Sequence, residues 1–502
     1  MRKSRTKNAL LNIFFGYLAQ FGIFILSFVG RRIFLQYLSI DHLGVNGLYY
    51  NILTVLSLPE LGLDAAVVYS LYKPVAEDNK SLIYSLLRYF KKIYVILALT
   101  IFTIGIAIIP SLKYIINSNL PHNDLVIYYV LFLMNTVASY FVAHKVALLS
   151  AYQEQRVHKI VTLLSNMILQ ILHIIVLIIW GNYYVYIMAT VATTIISNTI
   201  FGLISKDIHK EVFIKQENVD FDKKPIIQRI FSTFLYKIGA VAINSTDNIL
   251  MSILISTAAV GLYSNYYVVV TAIQGFIAII TTSLISGVGN LGATGNVKRQ
   301  HEMFNMMLLF YHFVAALGGT GFGLLFNDFI TIWLGEEFLF SKVTVLAVAF
   351  NFYLTNAVSP VWMYREANGL FENVKYLMII RAILNIVLSI FLGKLWGVFG
   401  ILLATAVSLI VTNLWYEPRI LYKNVFSISS REYWFKQLKY FIISGIGFML
   451  SWFMKYKQPV GILDFAWNVM IIVFIITTLF LISSIKSNEI KTAKSLLKKG
   501  RN

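Results

Sequence analysis

The chain has no cysteine in 502 residues, which excludes disulfides and thiolate chemistry and leaves the compartment open. Charge is also scarce. Asp, Glu, Lys and Arg make up 13% of the residues, against about a quarter in a soluble domain. There is no GxxxxGK[ST] loop, no Gly-rich dinucleotide fingerprint after a strand and no HExxH, so nothing in the sequence points to ATP hydrolysis. What is present is apolar: 58% hydrophobic residues and a mean hydropathy of +0.72. This composition fits a polytopic membrane protein. A net charge of +19 would suggest nucleic acid in a soluble protein. Here the basic residues lie between apolar runs, so they serve to orient the chain in a membrane, and no nucleic-acid partner is expected.

The N-terminal MRKSRTKNALLNIFFGYLAQFGIFILSFVG is basic and then apolar for about twenty residues, too long for a signal-peptide core. It reads as a first membrane helix. Fourteen apolar segments are long enough to cross a core of roughly 30 Å. They include 9–30, 44–70, 183–204, 228–255, 376–392, 395–416, 436–454 and 463–484. With the N-terminus inside, 33 Lys and Arg fall on the inner side and 7 on the outer, so both termini are expected in the cytoplasm. The outer loops are short. Helices five and six are joined by little more than Gly181-Asn182.

An internal repeat is visible. GLYYN at Gly47 and GLYSN at Gly261 are offset by 214 residues, Trp180 and Trp396 by 216, and Thr190/Thr405 and Asn198/Asn413 by 215. The expected fold is therefore all-α. Residues 1–204 form one six-helix half and 226–417 a second running in the same direction, with a cytoplasmic linker at 205–225. A final pair, helices 13 and 14, and a basic tail fill 418–502. Transporters built from parallel repeats place their substrate between the halves and alternate access by rocking.

Polar groups inside these segments mark the candidate site. In NSTDNILMS, at about 100° per residue, Asn244, Asp247 and Asn248 share a broad face with Thr233 and Lys237. On helix 1, Gln20, Ser27 and Arg31 form a stripe with Arg32 beside it. On helix 2, Ser57, Glu60 and Asp64 line one face next to Pro59, and the repeat maps Glu60 onto Gln274. A charge in hydrocarbon costs about 3 kcal/mol or more, so these faces should line protein or water. Snorkelling of Arg31, Arg32 and Lys237 competes with this reading, as do an internal salt bridge for Asp247 and, if the helix breaks at Pro59, a position of Glu60 and Asp64 near the cytoplasmic surface. His173 and His312 read as hydrogen-bonded interior histidines, Arg381 as a snorkelling residue, and Tyr263, Tyr266 and Tyr267 as an interfacial belt. No cofactor is expected. Asp247, Glu60 and Asp64 are the candidate carriers of H⁺ or Na⁺, or charge partners of basic residues.

ELGLDAAVVYSLYKPVAEDN (60–79), NSTDNILMS with AVGLYSNYY, YREANGLFENVKY (364–376), LGKLWGVFGILLATAVS and WYEPRILYKNVF occur in this order along nearly the whole chain. The chain so resembles the multidrug/oligosaccharidyl-lipid/polysaccharide (MOP) exporter superfamily, and within it the Wzx-type repeat-unit flippases. The resemblance implies a non-enzymatic flippase in the bacterial cytoplasmic membrane. Its substrate would be a polyprenyl-pyrophosphate-linked oligosaccharide, moved to the outer leaflet for capsule or exopolysaccharide. A polysaccharide polymerase and glycosyltransferases would be its partners, and the last helix pair would form a groove for the lipid tail. Arg31, Arg32 and Lys237 are then the candidate pyrophosphate ligands, and Asn244, Asn248 and Gln274 the sugar-facing groups. A lipid II or teichoic-precursor flippase, a cation-coupled multidrug exporter and a membrane glycan polymerase are the competing readings.

Overall fold

The computed structural model describes residues 2–214, 216–293, 296–370, 373–455 and 461–492; within helices the side chains of 1–19, 61, 65, 155, 232, 235–237, 240, 242–244, 280, 282–293 and 375 are outside the description. Among the described residues there is no strand. The helices are α1 (Arg2–Tyr37), α2 (Ile40–Leu56), α3 (Glu60–Ala76), α4 (Lys80–Ile108), α5 (Leu112–Ile115), α6 (His122–Ala151), α7 (Gln155–Trp180), α8 (Tyr183–Ile208) and α9 (Lys210–Phe213). After them come α10 (Lys224–Leu254), α11 (Thr257–Ala293), α12 (Val297–Trp333), α13 (Lys342–Ala367), α14 (Lys375–Val411), α15 (Asn413–Leu421), α16 (Arg431–Met454) and α17 (Ile462–Ser484). Nine helical segments among the described residues are long and apolar enough to cross a membrane.

Local chemistry sets the breaks. The expected segment 44–70 is two helices. Pro59 has no N–H to give, and the chain turns through Ser57 and Leu58 before α3 starts at Glu60. The Glu60 carboxylate in the first turn of α3 suits the positive end of the helix dipole. The α7–α8 connection is as short as expected. Gly181 sits at φ 55° as the left-handed end of α7, and Asn182 Oδ1 accepts from the Tyr184 N–H at 2.8 Å to cap α8. The segments 376–392 and 395–416 are separate helical stretches, as expected: inside α14 Gly397 breaks the helical backbone at φ 60°, ψ −138°, and the second stretch runs on past Thr412 into α15.

By internal contacts the chain forms two compact units, Met1–Ser264 and Asn265–Asn502. In the first unit α10 runs along α2 and α3. Lipid tails are as apolar as leucine, so packing between membrane helices depends on close approach at small residues. A β-carbon on Gly62 would overlap the Ile230 carbonyl of α10, and one on Gly44 would overlap the Thr257 carbonyl at the start of α11. The α10–α11 turn is also tied to the segment after α5: the Thr257 N–H donates to the Asn117 carbonyl at 2.8 Å, and Asn117 Nδ2 donates to the Ile255 carbonyl at 3.0 Å. The linker after α8 lies along the end of α4. The Val219 N–H donates to Ser85 Oγ at 2.9 Å, Phe221 meets the Tyr89 ring edge-on, and Glu211 pairs with Lys80. That Lys80 hydrogen bond draws the Glu211 carboxyl below its ordinary value.

In the second unit α16 and α17 pack on α12 and on each other, while Phe453 and Phe474 stay exposed. The segment after α17 folds back onto α16, with Glu489 and Lys436 paired at 2.6 Å. The repeat-related threonines play parallel parts. Thr190 Oγ1 pairs with His173 Nε2 on the preceding helix at 2.9 Å, and Thr405 Oγ1 accepts from Asn385 Nδ2, earlier on α14, at 3.1 Å.

Candidate functional site

The polar groups of the first unit lie at two depths. Near one end, Arg31 of α1 donates from Nη1 to Ser264 Oγ of α11 at 2.9 Å. Arg31 lies six residues before the end of α1 and Ser264 seven after the start of α11, so both are about 9–10 Å from the helix ends. Asp247 and Asn248 lie at the same level of α10, both half-buried. The Asn248 side-chain carbonyl oxygen is buried and unpaired among the described residues. Arg32 is exposed. The side chains of Lys237 and Asn244 lie outside the described residues. Gln274, half-buried on α11, is in the second unit.

The second level is built on α3. Starting the helix at Glu60 places Glu60 and Asp64 one turn apart on the same face. Tyr140 of α6 donates its hydroxyl to Glu60 Oε2 at 2.6 Å, and Tyr94 of α4 donates to Asp64 Oδ1 at 2.6 Å. Each tyrosine lies within electrostatic reach of both carboxylates. Both rings are buried, whereas Asp64 is exposed. A phenol beside a carboxylate satisfies it without cancelling its charge, so the site keeps acidic groups able to take up a cation. Among the described residues no three His, Asp or Glu side chains are placed to hold a metal ion.

Sequence reasoning missed the partners rather than the charges. Tyr94, Tyr140 and Ser264 are hydroxyls within apolar runs, and the positions of the carboxylates and of Arg31 on neighbouring helices are their only signal. A buried ion pair in the second unit was also missed. Arg365 Nη1 of α13 donates to both oxygens of Glu417 of α15, at 3.0 and 2.9 Å. Asn413 donates to the same carboxylate, and Arg381 of α14 is close enough to act on it. Arg381 is 6% exposed, so it does not snorkel as expected. Tyr266 likewise leaves the expected belt: it is buried and donates to Asn327 Oδ1 at 2.6 Å.

Helices of membrane length, with a guanidinium and two carboxylates each met by a hydroxyl, define a polytopic membrane protein. Solved structures share its fold. "Lipid II flippase MurJ, inward closed conformation" matches at a TM-score of 0.68 with 14% identity, over 93% of this chain and 98% of that one. A variant of the Vibrio cholerae MATE transporter VcmN matches at 0.56 with 12% identity, over 85% of this chain and all of that one. An inward-facing multidrug resistance MATE family transporter of the MOP superfamily matches at 0.56 with 13% identity, over 79% of this chain and 94% of that one. No curated protein sequence matches the chain. The chain belongs to the polysaccharide biosynthesis protein family, which matches residues 9–285.

Proposed function

We propose that this protein moves a polyprenyl-pyrophosphate-linked oligosaccharide from the cytoplasmic to the outer leaflet of the bacterial plasma membrane, supplying a capsule or exopolysaccharide of the Wzx-dependent kind. The observation that carries this reading is membership of a polysaccharide biosynthesis family on a transporter fold. Both termini lie in the cytoplasm, and the protein acts as a carrier by alternating access rather than as an enzyme. Arg31, Arg32 and Lys237 are the candidate partners of the pyrophosphate, because guanidinium and ammonium groups pair with phosphate oxygens. Asn244, Asn248 and Gln274 are candidates for the sugars. Glu60, Asp64 and Asp247 are the candidates for H⁺ or Na⁺ coupling or for charge pairing. The lipid tail stays in the bilayer against α16 and α17, and a polymerase and glycosyltransferases act on either side of the step.

The test is to deplete the protein and sort polyprenyl-linked glycans by leaflet. Accumulation of one complete repeat unit on the inner leaflet supports the proposal. The likeness to the lipid II flippase favours a second reading, in which the accumulating species is lipid II or a teichoic precursor. Accumulation on the outer leaflet indicates a polymerase. New sensitivity to cationic drugs with no accumulation indicates a multidrug exporter.

A further inference from the structure

α3 carries a second feature besides its carboxylates. At about 100° per residue, Asp64, Val68, Tyr72 and Tyr69 fall within roughly 140° of its circumference. Tyr69 is 57% and Tyr72 48% exposed and Asp64 is exposed, while Val68 between them is half-buried against the core. The two tyrosine rings meet edge-on at 6.3 Å. Arg229 of α10 lays its guanidinium over the Tyr69 ring, 3.3 Å from the centroid.

Depth identifies what this strip faces. Measured from Ala76 at about 1.5 Å per residue, Tyr72 is roughly 6 Å, Tyr69 roughly 10 Å and Asp64 roughly 18 Å into the bundle. Arg229, five residues into α10, lies roughly 7 Å from that helix's start, level with Tyr69. An interfacial belt accounts for tyrosines at the rim but not for an exposed carboxylate roughly 18 Å along the helix from it. Facing lipid, that carboxylate would cost several kcal/mol, so the strip faces water.

The chemistry of the row selects its ligand. One guanidinium and one carboxylate cancel, so the strip has no excess charge for a pyrophosphate. Tyrosine rings give an apolar surface for the C–H face of a sugar, and phenol, guanidinium and carboxylate give donors and acceptors for its hydroxyls. We propose that Tyr72, Tyr69 and Arg229, with Asp64 at the inner end, form a carbohydrate subsite that receives the sugar part of the head group as it enters from the end bearing the basic loops. This inference rests on the flippase reading above.

The absence of cysteine makes the test direct. Single Y69C and Y72C variants in inside-out vesicles, treated with a membrane-impermeant methanethiosulfonate, should label about 10-fold faster than L99C, whose apolar position on α4 is exposed. Labelling no faster than L99C places the row in lipid and overturns the inference. Purified full-length Y69A and Y72A should then bind the glycan-linked lipid pool extracted from depleted cells about 5- to 10-fold more weakly than wild type. Binding of bare undecaprenyl pyrophosphate should change less than about 2-fold, and Y69F should retain most of the affinity. Unchanged glycolipid binding, or equal weakening for both lipids, overturns the subsite while leaving the flippase reading standing. If the wild-type protein binds neither lipid and its depletion accumulates no glycolipid, both readings fall.

Discussion

Replacing Glu417 by Ala should be among the most destabilising single changes in the second unit. The side chains of Arg365 and Glu417 are 7% and 1% exposed, and both carboxylate oxygens accept from Arg365. Hydrogen bonds to charged groups contribute about 1.5–3 kcal/mol each, and removing one member of a buried pair costs about 3–5 kcal/mol. The second arginine, Arg381, acts on the same carboxylate, so E417A leaves two buried guanidiniums without it. The expected loss is about 4 kcal/mol for E417A and about half that for E417Q, which keeps an acceptor for Arg365 and Asn413. The assay is equilibrium unfolding of purified protein in mixed detergent micelles, with R365A and R365A/E417A completing a double-mutant cycle. A coupling energy of about 2 kcal/mol or more is expected. If E417A unfolds within about 1 kcal/mol of wild type, or the coupling is below about 0.5 kcal/mol, the pair does not hold α13 to α15 and the reasoning fails.

Four further outcomes are expected. R31A should abolish export in correctly inserted protein and R31K should restore part of it, whereas R32A, at an exposed position, should have the smaller effect; a normal rate of glycolipid transfer in R31A would remove Arg31 from the site. Y94F and Y140F each delete a hydroxyl held by a carboxylate and should lose about 1.5–3 kcal/mol in the micelle assay, with the two losses coupled because each ring reaches both acids. G62A, where a β-carbon meets the Ile230 carbonyl, should lose about 1–3 kcal/mol, while G321A, with open space around it, should be neutral or slightly stabilising; equal effects would refute the close-packing argument. Burial pushes the Glu489 carboxyl up, but bonds from Lys436, its own backbone and Ser487 draw it below the ordinary carboxylate value. Its contribution is therefore present above its unfolded pKa and is lost as pH falls through the lower folded value, so hydrogen-exchange protection at 485–492, taken relative to the intrinsic rate at each pH, should be high at about pH 6 and fall below about pH 4.

Much of the architecture was legible because a helix in lipid must satisfy its own backbone, and long apolar runs bounded by polar loops have few other solutions. The Gly181-Asn182 connection was readable for a related reason: a left-handed glycine and an asparagine cap leave room for nothing longer. His173 and His312 are interior and hydrogen-bonded as expected, to Thr190 and Tyr353. Side-chain partnership was not legible. Arg381 lies six residues inside Lys375, which suits snorkelling, and only the fold brings Glu417 to it across 36 residues of chain. YREANG and WYEPR carry the opposite charges of the buried pair, but each also looks like the edge of a loop. Pro59 could be seen as a kink, yet hydropathy could not show that it divides one expected helix into two.

The tie between α3 and α10 has a consequence for how the nascent chain is assembled. α3 ends at Ala76 and α10 begins at Lys224. About 150 residues lie between them, so at about 5–20 residues per second a ribosome takes roughly 8–30 s to deliver the helix that covers Gly62. Tyr94 and Tyr140 emerge well before it. The hydroxyl partners of Glu60 and Asp64 are therefore in the chain while α10 is still unsynthesised, and the face of α3 at Gly62 waits longest for its cover.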